Sequence, residues 1–162
     1  MKKLAILTLL LPVAIPAHAA DWVIGVGATD FSRNDAHDEA LLELEVHAAP
    51  FAQWHNVAFN LAGGIVTHSN GDLWLGAGIA ALATLGTSRW FLEASVMPGV
   101  YTESQGTNDL GSTVEFRSLI GLGYRFDNDF SVSLAATHKS NAGFGNDNPG
   151  VNALSLRFRR SF

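Results

Sequence analysis

From residue 22 to residue 162 the chain divides into about eight stretches of roughly ten residues, each rich in alternating apolar and polar side chains, glycine and aromatics, and each bounded by turn residues. This pattern limits the fold more than any other feature of the sequence. Alternation with period 2 places successive side chains on opposite faces of a strand. No later run is apolar for long enough to cross a membrane as a helix. The strands are expected at 22–30, 40–49, 57–67, 73–85, 90–101, 112–125, 130–140 and 152–162. In the second, Leu42, Leu44, Val46 and Ala48 alternate with Glu43, Glu45 and His47. In the sixth, Val114, Phe116, Ile120 and Leu122 alternate with Glu115 and Arg117, and in the eighth Leu154, Leu156 and Phe158 alternate with Ser155, Arg157 and Arg159. The fourth is apolar on both faces, and its inward set is not readable from the sequence.

Two all-β architectures fit such a pattern. One is an eight-stranded antiparallel transmembrane β-barrel with its apolar set facing lipid. The other is a soluble β-sandwich that buries the apolar set. The N-terminus bears on the choice. Lys2 and Lys3, the apolar run from Leu4 to Leu11 and Ala17-His18-Ala19 form the three regions of a secretory signal peptide at 1–19, leaving 20–162 as one barrel domain. A small exported domain with a thin core ordinarily relies on disulfides. This chain has no cysteine, whereas a closed barrel in a bilayer satisfies its backbone by strand pairing alone. Together with the terminal Phe162, these features favour an outer-membrane barrel. Its narrow interior would be filled by side chains, with Glu43, Glu45, Glu93, Glu115, Arg117, Arg157 and Arg159 paired as a polar plug.

The formal net charge of −5, more negative still without the two leader lysines, argues against nucleic acid as a partner. With an even strand number both termini are periplasmic. The connections at 50–56, 86–89 and 127–129 are then inner turns, and those at 31–39, 68–72, 102–111 and 141–151 are outer loops. The seventh strand runs outward, and its apolar face, Phe130, Val132, Leu134 and Ala136, ends in His138 and Ser140. Asn152 shares the face of Leu154, Leu156 and Phe158 on the next strand, and the hairpin can bring it beside His138. A base and a hydroxyl nucleophile thus meet on one wall. A second His-Ser pair, His68-Ser69, is adjacent in sequence, so its side chains diverge on a strand, and it reads as loop. No metal-ligand spacing or phosphate-cradling glycine motif is present, so no metal or cofactor is expected.

His138-Lys139-Ser140-Asn141-Ala142-Gly143, followed by Asn148-Pro149-Gly150 and an alternating strand to a terminal aromatic residue, resembles the lipid A 3-O-deacylase family of the PagL type. The specific match covers the chain from His138 onward. The resemblance implies an eight-stranded outer-membrane barrel that acts on lipid A or lipopolysaccharide among outer-membrane lipids. It implies Ser140 as nucleophile, His138 as general base, and oxyanion stabilisation by Asn141 with the backbone of Ala142 and Gly143. In the family pattern a glutamate stands fourteen residues after the histidine, whereas this chain has Asn152. An amide can orient the imidazole but adds no charge. Either Asn152 completes a Ser-His-Asn triad, which is the favoured reading, or a nearby carboxylate such as Asp147 replaces it, or the chain is slow or inactive. Arg33 and Lys139 are candidates for contact with substrate phosphates, though a surface cation is more often simply solvated. The alternative function is a non-enzymatic small barrel. The sequence leaves acyl specificity and homodimerisation open.

Overall fold

The computed structural model describes residues 21–32, 36–106, 108–145 and 147–161; the leader at 1–19, Arg33 and Phe162 lie outside the described residues. Eight strands follow one another: β1 (Asp21–Phe31), β2 (Ala40–Trp54), β3 (Val57–His68), β4 (Leu73–Thr84), β5 (Trp90–Thr102), β6 (Val114–Arg125), β7 (Phe130–Ser140) and β8 (Val151–Ser161). Each pairs antiparallel with its chain neighbours, and β8 returns to β1 to close a barrel. A sandwich would leave sheet edges, and closure removes them.

The alternation becomes an inside and an outside. Glu43, Glu45 and His47 of β2 are buried in the lumen, while Leu42 and Leu44 are exposed on the outer wall. Arg117 bonds Glu45 at 2.6 Å and also Glu43. Arg157 lies 2.9 Å from Glu43, 2.9 Å from Glu45 and 3.2 Å from Glu93. Arg159 continues the chain to Glu93 at 3.0 Å and Asp21 at 2.9 Å. The hydroxyls of Ser155 and Ser133 donate to Glu43 at 2.8 Å and Glu93 at 2.5 Å. Six strands, β1, β2, β5, β6, β7 and β8, are thereby tied across the lumen.

Glu115 departs from the expected plug. It is fully buried, yet neither carboxyl oxygen has a hydrogen-bond partner among the described residues. It sits where the lumen turns apolar, because Phe31, Leu41, Val66, Trp74, Met97, Tyr101, Leu110 and Val151 pack together across the outer half. β4 supplies the reason. Trp74, Gly76, Gly78 and Ala80 are its inward set, and Trp74 is completely buried, its indole N–H donating to the Glu115 carbonyl at 3.1 Å. Space for the indole comes from Gly76 and Gly99, where an added Cβ would lie 2.4 and 2.6 Å from it.

β2 also runs further than its alternation suggests. Pro50 offers no ladder N–H, which reads as a break in sequence. The strand absorbs it with register shifts on either side, between His47 and Pro50 and between Pro50 and Ala52. The inner turn shrinks to His55-Asn56, with His55 at φ 52°.

The outer wall is apolar between its ends, the surface a barrel presents to hydrocarbon. Trp22, Phe51, Trp54, Trp90, Phe126, Phe130 and Phe158 lie exposed toward the end carrying the short turns. Rings of Trp90, Tyr124, Phe126, Phe130 and Phe158 follow one another at centroid spacings of 5.1, 5.2, 5.9 and 6.2 Å. Such a belt matches a membrane interface, and it puts the outer loops at the opposite end.

Removing Arg157 takes one of two arginine partners from each of three buried carboxylates, Glu43, Glu45 and Glu93. Arg157→Ala is expected to cost on the order of 3–5 kcal/mol, read as a lower urea midpoint for unfolding from vesicles. Arg89→Ala removes exposed interactions with Asp127 and Tyr124 and should leave the midpoint within error. Equal shifts for the two variants would count against the lumenal network as the main electrostatic support.

Candidate active site

β7 delivers His138 and Ser140 to its outer end on one face. His138 is exposed on the outer wall and Ser140 is half-buried, while Lys139 between them is buried in the lumen. Their Cα atoms are two strand residues, or about 7 Å, apart. Antiparallel pairing sets the flanks: Asn152 of β8 and Ser118 of β6 are the register partners of His138, and Phe116 is the partner of Ser140. All three polar side chains of that row point outward.

His138 Nδ1 lies 2.9 Å from Asn152 Oδ1. An amide oxygen only accepts, so Nδ1 carries the ring proton and Nε2 keeps its lone pair. The imidazole packs on Gly150, which has φ +68°, and a Cβ there would stand 3.0 Å from Cε1. Glycine therefore both permits the turn into β8 and leaves room for the ring. The Asp147 carboxylate is engaged elsewhere, accepting from the Asn148 N–H at 2.9 Å, so the imidazole's partner is Asn152.

The segment after Ser140 is a tight turn. Ala142 and Gly143 have φ +53° and +82°, and Phe144 N–H donates to the Asn141 carbonyl at 3.0 Å. Two central residues at positive φ define a type I′ turn, a strained choice for alanine. Asn141 is fully buried and holds the turn in place. Its Nδ2 donates to the carbonyls of Leu110 at 3.0 Å and Asp147 at 2.6 Å, and its Oδ1 accepts from Gly143 N–H at 2.9 Å. Its own N–H donates to Asn148 Oδ1 at 3.0 Å. Among the described residues the Ala142 N–H makes no hydrogen bond. Phe144 stands exposed on the loop, stacked on Phe116 at 5.9 Å.

Lys139, offered by the sequence as a phosphate contact, faces the other way. Its Nζ is 3.0 Å from His68 Nε2 and 5.4 Å from the Tyr101 ring centre. His68, expected in a loop, is the buried last residue of β3. Parity decides both positions: once His138 faces out, Lys139 must face in. Beside them Asp72 accepts from Asn70 Nδ2 at 2.8 Å, Tyr101 OH at 3.0 Å and Ser104 N–H at 2.8 Å. Burial alone would raise the Asp72 pKa, but these donors outweigh it and hold the carboxyl below its ordinary value. The sequence passed over Ser118, the one polar residue in the outward row Val114, Phe116, Ile120 and Leu122. That interruption was its signal. With Ile120, Ala136, His138 and Asn152 it lines a groove of about 380 Å³ on the outer wall.

A small closed barrel with an oriented imidazole and a hydroxyl on its apolar wall is the arrangement these strands build. The family model described as lipid A 3-O-deacylase (PagL) matches residues 38–161, and the chain belongs to that family. It is 36% identical over 70 residues to the lipid A deacylase PagL of Pseudomonas aeruginosa, covering 43% of this chain and 40% of that protein. It is 27% identical over 97 residues to the protein of the same name in Bordetella bronchiseptica, covering 59% and 54%. The chain thus spans about half the length of the curated relatives it matches. Its backbone superposes on the crystal structure of the outer membrane enzyme PagL with a TM-score of 0.71 at 23% identity, over 86% of this chain and 98% of that one. Neisserial surface protein A gives a TM-score of 0.58 at 12% identity, over 89% and 96%, a likeness of fold.

The packing of Gly150 on His138 is open to a structural test. Gly150→Ala forces a β-carbon against the ring at a positive φ, at a cost of about 1 kcal/mol or more. A crystal structure of this variant should show the imidazole displaced from Asn152 in an unchanged barrel; a retained 2.9 Å contact would refute the packing argument.

Proposed function

We propose that this chain is an outer-membrane lipid A 3-O-deacylase, hydrolysing the ester-linked 3-hydroxyacyl chain at the 3 position of lipid A by a serine-histidine mechanism. One observation carries the reading: an imidazole on the apolar wall, its Nδ1 held by Asn152 and its Nε2 without a hydrogen bond among the described residues, two residues before a serine on the same face. Polar groups on that wall are tolerated only near the interface. That is the depth at which the sugar-linked esters of an outer-leaflet lipid meet the barrel from the side.

In this reading Nε2 of His138 takes the proton of the Ser140 hydroxyl as Oγ attacks the ester carbonyl carbon. The tetrahedral oxyanion is met by the turn after Ser140. There the Ala142 N–H is the backbone donor left unused among the described residues, and Asn141 and Gly143 hold that turn in shape. Collapse of the intermediate expels the sugar alkoxide, which receives the proton from the imidazolium. Water then hydrolyses the acyl-serine with His138 again as base, releasing the 3-hydroxy fatty acid. Asn152 orients the ring throughout and contributes no charge to the imidazolium.

Ser140→Ala and His138→Ala should each lower fatty-acid release from lipopolysaccharide by about a thousandfold or more. Heat-modifiable migration, the sign of a folded barrel, should stay intact. Mass spectrometry of the lipid A product decides it: normal deacylation by Ser140→Ala removes the mechanism and leaves a non-enzymatic barrel. Asn152→Glu supplies the missing charge and should raise kcat/KM roughly tenfold, about 1.4 kcal/mol in the barrier. Asn152→Ala should lower it. If neither change alters the rate, Asn152 has no part in the reaction.

A further inference from the structure

Ser118 has no role in the mechanism above, and its position is unusual. It is the polar residue in an outward row of Val114, Phe116, Ile120 and Leu122, and it borders the groove that His138 and Asn152 also line. Its hydroxyl donates to the His138 carbonyl at 3.3 Å. That bond occupies the one hydroxyl proton and leaves lone pairs on Oγ able to accept. An acceptor on a hydrocarbon-facing wall is matched by a substrate donor lying at the same depth.

The register says which donor. Ser118 stands opposite His138, so it is the diagonal neighbour of Ser140 across β6 and β7. Diagonal residues of an antiparallel pair lie about 7–8 Å apart. An acyl chain whose carbonyl sits at Ser140 and whose tail runs toward the midplane enters the groove between Ser118, Ile120 and Ala136. Its third carbon follows the carbonyl carbon by two bonds, and a hydrogen bond from a hydroxyl there spans a further 2.7–2.8 Å or so. Those lengths bridge the diagonal. We infer that Ser118 is a specificity-determining residue that accepts a hydrogen bond from the 3-hydroxyl of the departing acyl chain. The inference rests on the deacylase reading and adds the feature of the substrate that is recognised.

The test uses the full barrel in detergent micelles with two lipid A esters. One carries a 3-hydroxyacyl chain at the 3 position, and the other carries the same chain without the hydroxyl. Wild type should prefer the hydroxylated ester by roughly tenfold in kcat/KM, since a site that bonds a hydroxyl discriminates against its absence. Ser118→Ala should bring the ratio to about one by losing rate on the hydroxylated ester. Ser118→Thr, which keeps the acceptor, should preserve the preference. Equal losses on both esters would mean that Ser118 only supports the His138 strand, and an unchanged ratio would mean that it touches nothing; either overturns the inference. A wild type that cleaves neither ester defeats the deacylase reading first.

Discussion

The lumenal ion network governs the rest of this molecule. Arg117, Arg157 and Arg159 bind Glu43, Glu45, Glu93 and Asp21 across the barrel, from strands that are not all neighbours. A charge on the hydrocarbon side costs up to roughly 2–4 kcal/mol at the midplane. A one-residue slip of any strand would turn its whole inward set outward. Register is therefore set by where the charges must go, and the apolar stripes follow. Hydrophobic patterning alone would leave β4, apolar on both faces, without a preferred parity; its neighbours' registers and the space over Gly76 and Gly99 send Trp74 inward.

That constraint reaches the candidate site through one residue. Lys139 is on the inward set of β7, held against His68 and over the Tyr101 ring. With Lys139 anchored inside, His138 and Ser140 have no choice but the outer wall. Asn141 extends the same logic into the loop, spending its amide donors on Leu110 and Asp147 and so tying two outer loops to the end of β7. His138 and Asn152 are exposed and Ser140 is half-buried, while Lys139 and Asn141 next to them in the chain are buried.

The two halves of the lumen divide the labour. The inner half is charged and cross-linked by ion pairs, and the outer half packs an apolar cluster with Trp74, Met97 and Leu110 at its centre beside the buried Lys139, His68 and Asp72. Glu115 lies at the boundary with no hydrogen bond to its carboxyl oxygens among the described residues. Its backbone carbonyl still serves the Trp74 indole. Of the seven residues expected to pair in the plug, Glu115 alone lacks a side-chain hydrogen bond among the described residues, and Lys139, His68 and Asp72 form a further buried polar cluster beyond it.

Much of this was legible in the residues. The strands, the two alternating sets of side chains on β2, β6, β7 and β8, and the shared face of His138 and Ser140 all follow from a period of two, which is a local property of extended backbone. Local patterning fails where an outcome depends on neighbours. The continuation of β2 through Pro50 depends on a bulge that β3 accommodates. The inward turn of Trp74 depends on glycines in β4 and β5. The engagement of the Asn141 amide depends on Leu110, which is distant in sequence. The opposition of Ser118 to His138 depends on the β6–β7 register, which no single strand encodes. Alternation along one strand determines which side chains share a face; only closure of the barrel decides which face is the inside and which residues of the adjoining strands stand opposite them.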